Sequence, residues 1–267
     1  VDPTNERIQA RTIDRFRGGQ SDRRTDAVAL EDPLEIRIGD TPLAVVMRTP
    51  GDDADLVTGF FLTEGILIEP AEISEITHVD GSRVTVRFRE GVDVDPGRFQ
   101  RNLFMSSSCG VCGKASIEAV QIFARPVAPF QVSPRRIADL TDRLRDHQPT
   151  FDETGGLHAA GLFGLDGEVL AVREDVGRHN AVDKVIGAMA RTGWPMPPAL
   201  LVVSGRQSFE IVQKAAVAGV GGVIGVSAPS SLAVELAESL QMLLVGFARD
   251  RAFNVYAGAS HLTTDHS

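Results

Sequence analysis

Two cysteines within a serine- and glycine-rich stretch are the sequence's clearest chemical feature. They stand in Ser106-Ser107-Ser108-Cys109-Gly110-Val111-Cys112-Gly113-Lys114. The small residues make a loop that can bend to expose sulfur. A helix predicted over residues 114–124 would aim backbone N–H groups and its positive dipole end at the thiols, and Lys114 adds a cation. Both effects favour thiolate, and a free-Cys pKa of about 8.5 falls to roughly 3.5–7.5 in such settings. A thiolate can attack a donor persulfide and become a persulfide itself, by the displacement chemistry of disulfide exchange. Three other readings compete. Half of a zinc site would need His158 or His179 to complete four ligands. A thioredoxin-like pair would need a βαβ context that is not found upstream. An inert buried pair suits the serine- and glycine-rich surroundings poorly. Spacing alone puts sulfur or redox chemistry ahead of metal.

Other polar segments offer binding groups. Glu174-Asp175-Val176-Gly177-Arg178-His179-Asn180 has no large aliphatic side chain but Val176, which argues against a place in the core. Arg178 can pair with phosphate or carboxylate, and His179 can move a proton near neutrality. His179 and Asp175 are therefore candidates for managing protons and charge. A capped helix start with an Arg–Asp salt bridge explains the block equally well, and His158 reads equally as a packed strand histidine. Ser204-Gly205-Arg206-Gln207-Ser208 and Ser227-Ala228-Pro229-Ser230-Ser231 each follow an apolar run and open a helix. Such junctions present N–H groups, hydroxyls and, at Arg206, a forked cation. Neither is a P-loop. Phe247-Ala248-Arg249-Asp250-Arg251-Ala252, after the last apolar run, is a third candidate. Gathered on one edge of a sheet, these loops predict a pocket for a nucleotide-like anion.

The elements that must hold these residues are legible in the patterning. Alternation over 34–38, the turn Gly39-Asp40 and a continuation over 43–48 predict a hairpin. Asp52 and Asp53 are placed to cap a helix with Leu56, Phe60 and Phe61 on its apolar face and Gly65 at its end. Residues 76–79 and 84–88 predict a second hairpin around Asp80-Gly81. Pro134 fits the first turn of a helix capped by Ser133, with Ile137, Leu140 and Leu144 facing inward. Strands are expected over 157–165, 169–172, 200–203, 222–226, 242–247 and 253–256. Helices are expected over 180–192, 209–218 and 232–240. Apolar runs alternating with helices indicate an α/β layered unit with largely parallel pairing, which binds ligands beyond the carboxyl ends of its strands. The expected domains are a mobile Arg-rich tail over 1–26, a small α+β domain over 27–102 and an α/β domain over 103–267. A docking arm is the alternative reading of the tail.

With 267 residues the chain can bury a large core. Its net charge of −9 argues against general nucleic-acid binding, which needs clustered Lys and Arg. No run predicts a membrane span or a secretion signal. Two cysteines in one short motif suit a reducing compartment, so a cytoplasmic location is expected.

Taken in order, these motifs resemble the FdhD/NarQ family, the formate dehydrogenase accessory sulfurtransferases. The matching stretches are Glu31-Asp32-Pro33-Leu34, the run 47–53, Ser107 through Lys114, Thr154-Gly155-Gly156-Leu157-His158-Ala159-Ala160 and the block 173–183. Val202-Val203-Ser204-Gly205-Arg206, Ser227-Ala228-Pro229-Ser230-Ser231 and Phe253-Asn254-Val255-Tyr256-Ala257-Gly258 complete the set. The resemblance covers about residues 27–260. It implies that sulfur is taken from a cysteine desulfurase as a persulfide on Cys109. The sulfur is then passed to the molybdenum cofactor bearing two pterin guanine dinucleotides (Mo-bis(molybdopterin guanine dinucleotide)), before its insertion into formate dehydrogenase. It maps cofactor binding onto 247–252 and favours a homodimer. It also implies a cytidine deaminase-like three-layer α/β/α sandwich preceded by a small α+β domain. Zinc deaminases on that fold use H-x-E and P-C-x-x-C. Here Ser108 precedes Cys109 and Ala159-Ala160 follows His158, so that chemistry is not expected and no resident metal is predicted. Within the expected mechanism Ser204, Gly205, Arg206, Ser230, Arg249 and Arg251 hold the cofactor. Cys112 either resolves the persulfide, receives sulfur second or holds the loop. The rival classes are a cofactor chaperone gated by the cysteines and a zinc-binding module.

Overall fold

The computed structural model describes residues 6–94 and 124–264. Cys109, Cys112, Lys114 and the helix expected over 114–124 lie outside the described residues, apart from Ala124.

The stretch expected to be a mobile tail is a hairpin. Strands β1 (Ile8–Arg17) and β2 (Gln20–Ala29) pair antiparallel from Ile8 opposite Ala29 to Arg17 opposite Gln20. Gly18 and Gly19 turn the chain with φ of 59° and 83°, values that glycine adopts without steric cost. No strand residue here is buried. Alternation of apolar and polar side chains marks only strands with a buried face, so this pair leaves no such signature.

Strands β3 (Asp32–Ile38) and β4 (Thr41–Arg48) form the expected hairpin, followed by helix α1 (Asp53–Thr63). After a 3₁₀ turn at Pro70–Glu72, β5 (Ile73–Asp80) and β6 (Arg83–Phe88) form the second hairpin. The four-stranded sheet has the order β4-β3-β6-β5. Leu34, Ile36, Val84 and Val86 on one face pack against Leu56, Phe60 and Phe61 of α1. Asp52 does occupy the helix N-cap, but it lies in the left-handed region (φ 56°) and its carboxylate makes no cap bond. That carboxylate instead meets Arg7 at 2.6 Å and Arg173 at 3.6 Å; two cations outcompete the helix N–H groups for it.

The C-terminal part begins with α2 (Pro134–Arg145), whose Ser133 cap accepts a hydrogen bond from the Arg136 N–H, and α3 (Pro149–Thr154). Then come β7 (His158–Gly164), β8 (Val169–Asp175), α4 (Arg178–Thr192) and β9 (Ala199–Val203). The chain continues through α5 (Phe209–Val217), β10 (Gly222–Gly225), α6 (Ser231–Ser239), β11 (Leu243–Arg249) and β12 (Ala252–Ala257). These six strands form one sheet in the order β12-β11-β10-β9-β7-β8. Helices α4, α5 and α6 cover one face through Val182, Val185, Ile211, Val212 and Leu236. Helix α2 covers the other through Ile137, Leu140 and Leu144. The pairing is mixed, not largely parallel. Only β9-β10 and β10-β11 run parallel, while β7 pairs antiparallel with both β8 and β9, and β12 with β11. Helical crossovers impose parallel neighbours and tight turns impose antiparallel ones, and this sheet uses both. No described helix is long and apolar enough to cross a membrane.

Helices α1 and α4 join the two sheets at a close crossing. A Cβ at Gly187 would lie 1.9 Å from the Asp55 carbonyl oxygen, and one at Gly59 would lie 1.8 Å from that of Asp183. Buried ion pairs flank the crossing. Lys184 donates to Asp175 and to the Thr49 carbonyl, both at 2.8 Å, with Lys184 and Asp175 wholly buried. On the other side Lys214 of α5 bonds Asp183 at 2.9 Å and Glu64 at 2.7 Å, and Thr63 donates to Asp183 at 2.7 Å. Desolvated charges persist only when paired and hydrogen-bonded, so these contacts fix how α4 meets the N-terminal sheet.

Candidate functional site at the sheet edge

The strand directions bring five loops to one edge. Strands β9, β10 and β11 end there. Strand β7, antiparallel to β9, begins there at His158, and β8 ends there at Asp175, directly opposite His158. Hydrogen bonds stitch the loops in sequence. Ser204 accepts from the Ala159 N–H at 2.9 Å, and Ser204 N–H donates to the Ala159 carbonyl at 3.0 Å. Gln207 pairs with Pro229 as a short bridge, donating its N–H to Ala228 and accepting from Ser230 N–H. Phe247 N–H donates to Ser227 at 3.1 Å. Helix α4 starts at the same edge with Arg178, and His179 Nε2 stands 3.5 Å from Ser208 Oγ on the next loop.

The residues expected to bind the cofactor all lie among the described residues, whereas Cys109 and Cys112 do not. Gly205 lies beside His158: a Cβ there would be 3.4 Å from the imidazole Nδ1. Arg206 is exposed and projects from the edge. Ser230 is the N-cap of α6, accepting from Ala233 N–H at 3.3 Å, so its hydroxyl is already engaged. The stretch 247–252 falls where β11 gives way to β12, between the strands expected over 242–247 and 253–256. It is the β11–β12 hairpin end, with positive φ at Phe247, Asp250 and Arg251. Ala248 points into the core, 1% exposed, which removes its side chain from any ligand. Phe247, Arg249, Asp250 and Ala252 are exposed, and Arg251 pairs with Asp139 of α2 at 2.8 Å. Phe247 therefore sits against the Ser227 loop, whereas Asp250 and Arg251 lie at the hairpin tip beside α2.

The polar block 174–180 also divides. Glu174 is buried, accepting from Thr150 and Phe151 N–H groups at the start of α3. Asp175 is tied to Lys184, Thr49 N–H, Gly177 N–H and Asn180. Their burial, unexpected from the sequence, makes them structural, and Asp175 is not a free proton carrier. The expected Arg178–Asp salt bridge is not formed: Lys184 takes the carboxylate. Arg178 Nε is buried with no hydrogen-bond partner among the described residues, and an unsatisfied buried donor at a cleft suits an incoming anion.

Both imidazoles are held toward their neutral forms. Burial, reinforced by the Arg178 charge and opposed by Asp175, lowers the His158 pKa. Burial, with Arg178 and Lys214 adding repulsion, brings His179 down to about 4, against Glu210 and Glu64. Each ring can thus accept a proton or hydrogen bond at neutral pH while Arg178 supplies positive charge. A consequence is measurable. The unfolded chain binds the His179 proton first as pH falls, because its pKa there is about 6.5. The stability retained above about pH 6.5 is therefore expected to decline as pH falls toward 4. An NMR titration following the His179 ring should show no midpoint above pH 5; a midpoint near 6.5 would contradict the burial read here.

A cavity of about 500 Å³ adjoins His158 and Ser204 on the α2–α3 side, with Phe151, Gln148 and Gly156 among its walls. Gln207 is wholly buried at the junction of β9, β10 and β11, donating from Nε2 to the Val245 carbonyl. Local pattern does not reveal this role, since a glutamine between Arg206 and Ser208 looks solvated. Among the described residues no group of three His, Cys, Asp or Glu side chains could hold a metal ion.

These features define a mixed α/β protein with a polar, anion-receptive cleft at a sheet edge. The chain belongs to the FdhD/NarQ family, whose sequence profile matches residues 29–263. It is 49% identical over 268 residues to the sulfur carrier protein FdhD of Streptomyces coelicolor, covering 95% of each chain. It is 46% identical to the protein of the same name from Mycobacterium tuberculosis, covering 90% of this chain and 93% of that one. For the Anaeromyxobacter dehalogenans protein of that name the identity is 47%, with 89% and 88% covered. The fold matches a crystal structure of a protein assigned as a formate dehydrogenase accessory protein from Desulfotalea psychrophila. The TM-score is 0.78 at 24% identity, with 96% of this chain and 99% of that one covered.

Proposed function

We propose that this chain is a sulfur carrier in formate dehydrogenase maturation. Cys109 takes sulfur from a cysteine desulfurase and passes it to the bis(molybdopterin guanine dinucleotide) form of the molybdenum cofactor, its substrate, before that cofactor enters formate dehydrogenase. The observation that carries the reading is the edge where Arg178, with its unpartnered Nε, meets His158, His179 and the Ser204 loop in a chain that also carries the Cys109–Cys112 motif. The names of the curated relatives support it.

In the accepting step the Cys109 thiolate attacks the outer sulfur of the donor persulfide, and the donor thiolate leaves. In the delivering step the Cys112 thiolate attacks the inner sulfur of the Cys109 persulfide. The outer sulfur leaves as hydrosulfide, already reduced by two electrons, and a Cys109–Cys112 disulfide remains for a thiol reductant to open. Phosphate and guanosine groups of the cofactor are held by Arg206, Ser204, Arg178 and the exposed members of 247–252. The protein works as a homodimer in the cytoplasm. The six-stranded sheet with helices on both faces supports placing the C-terminal unit with cytidine deaminase-like sandwiches.

Incubation with a cysteine desulfurase and cysteine tests the reading by intact mass. Wild type should gain one reducible sulfur, Cys109→Ala none, and Cys112→Ala should hold sulfur without releasing hydrosulfide. Unlabelled wild type would instead indicate a cofactor chaperone, and stoichiometric zinc lost in Cys112→Ala a metal module.

A further inference from the structure

A threonine inside a helix often turns its hydroxyl back onto the carbonyl four residues earlier. Two in this chain do so at 2.8 Å, Thr58 onto Ala54 and Thr154 onto Thr150. Thr141 of α2 does not. It is 7% exposed, and its Oγ1 is buried with no hydrogen-bond partner among the described residues. Gln148, the N-cap of α3, is 4% exposed, and its side chain makes no cap bond. Leaving such groups unpaired in the interior is costly, and most buried polar atoms find a partner. Both residues line one cavity, the space of about 500 Å³ beside His158 and Ser204.

The remaining wall narrows the chemistry of what fits. Leu144, Leu157 and Phe151 make it largely apolar, and the Arg145 guanidinium lies 4.8 Å from the centre of the Phe151 ring. Arg145 is paired with Asp152, and burial holds His158 toward its neutral form. The wall therefore offers no free charge to a phosphate or a carboxylate. It suits an uncharged flat ring that carries donors and acceptors on its edge. A carboxamide presents both kinds of group side by side and can meet a heterocycle edge with two hydrogen bonds. Ordered water would satisfy the hydroxyl and the amide equally well, but the apolar walls gain nothing from it.

We propose that this cavity is a subsite for a neutral heterocycle, whose edge Gln148 and Thr141 read by hydrogen bonds. The edge is the 2-amino-4-oxopyrimidine that guanine and pterin share. His158 and Ser204 belong both to the cavity and to the polar sheet edge, which leaves that edge to the anionic substituents of the ring. The inference deepens the proposed function and rests on it, because that reading supplies a cofactor carrying both kinds of ring. Sulfur loading of Cys109 plays no part in it.

Calorimetric titration of the full chain with guanosine, with pterin and with purine riboside tests it. Guanosine or pterin should bind, and the tighter of the two identifies the part of the cofactor housed here. Purine riboside, which keeps the flat ring but lacks the amino and oxo groups, should bind about tenfold more weakly or worse. Thr141→Val and Gln148→Met should each weaken the bound ring about tenfold. Thermal unfolding without ligand supplies the second readout. Both variants should melt no lower than wild type, because each removes a polar group that has no partner in the free protein. No binding of either ring, binding indifferent to both variants, or both variants melting lower would each overturn the assignment. Sulfur labelling of wild-type Cys109 keeps the two readings apart. Labelling without ring binding would remove only the subsite, and ring binding without labelling would remove only the sulfur carrier.

Discussion

Lys184→Met is expected to cost about 3–5 kcal/mol of folding stability, the penalty for leaving one member of a buried ion pair alone. Lys184 and Asp175 are both wholly buried and 2.8 Å apart. The ammonium also satisfies the Thr49 carbonyl, while Asp175 takes the Thr49 N–H. Methionine fills similar volume but returns neither bond. The Asp175 carboxylate would then be buried with only neutral donors, at the point where β8 hands the chain to α4. Burial also lowers the Lys184 pKa, against the pull of Asp175, which shows how far the pair depends on its geometry. Denaturant titration of wild type, Lys184→Met and Lys184→Met/Asp175→Asn measures the effect. The double variant should recover part of the loss, since removing both charges removes the orphan. A single-variant loss below about 1 kcal/mol would mean the pair is solvated like a surface bridge.

Gly187→Ala is expected to be destabilising by about 3 kcal/mol or more, at the upper end for overpacking. The added Cβ would lie 1.9 Å from a backbone oxygen of α1 and 2.7 Å from the Gly59 nitrogen. Main-chain atoms in a helix cannot rotate aside, so α1 and α4 would have to move apart as bodies. That would also stretch the Lys184 and Lys214 bridges that flank the crossing. Gly193→Ala is the matched control: it follows α4, its φ of 177° is ordinary extended backbone, and nothing lies within 4 Å of the new carbon. Because α4 begins with Arg178 and His179, Gly187→Ala should additionally shift the His179 titration toward its ordinary value. Equal stability of the two alanine variants would refute the close crossing.

The arrangement explains why a chain with a small N-terminal sheet keeps charges buried between its parts. Asp55 is held by both Arg173 and Arg191 at 2.7 Å, and Asp183 by Lys214. Burial pushes the Asp183 carboxyl up to about 6 against the pull of Lys214. For Lys214 burial pulls downward, but Asp183 and Glu64 outweigh it and raise the pKa. Such pairs add little net stability beyond an apolar contact, yet they tolerate only one docking geometry. That geometry sets where α4 delivers Arg178 and His179.

Much of this was written in local pattern. The hairpins around Gly39-Asp40 and Asp80-Gly81, the Ser133 cap and the alternation from β9 to β12 follow from side-chain period and turn residues alone. So does the expectation that the Ser204 and Ser227 loops share an edge, since strands linked by helical crossovers run parallel and end together. The β1–β2 ribbon escaped because a strand pair without a buried face has no apolar alternation. The burial of Glu174, Asp175, Lys184 and Gln207 escaped for a related reason. A charged or amide side chain looks solvated until its partner, far along the chain, is known: Thr49 is 126 residues from Asp175.

By itself, then, the sequence determined most of the elements and the family motifs, because these depend on neighbours within a few residues. Only the tertiary structure decided which polar groups are spent on holding the fold and which remain open at the cleft. Asp175 and Ser230 are spent; Arg178, Arg206 and the neutral imidazoles are not. The reason is physical: desolvation and pairing depend on distance in space, and two helices meeting glycine to backbone set those distances.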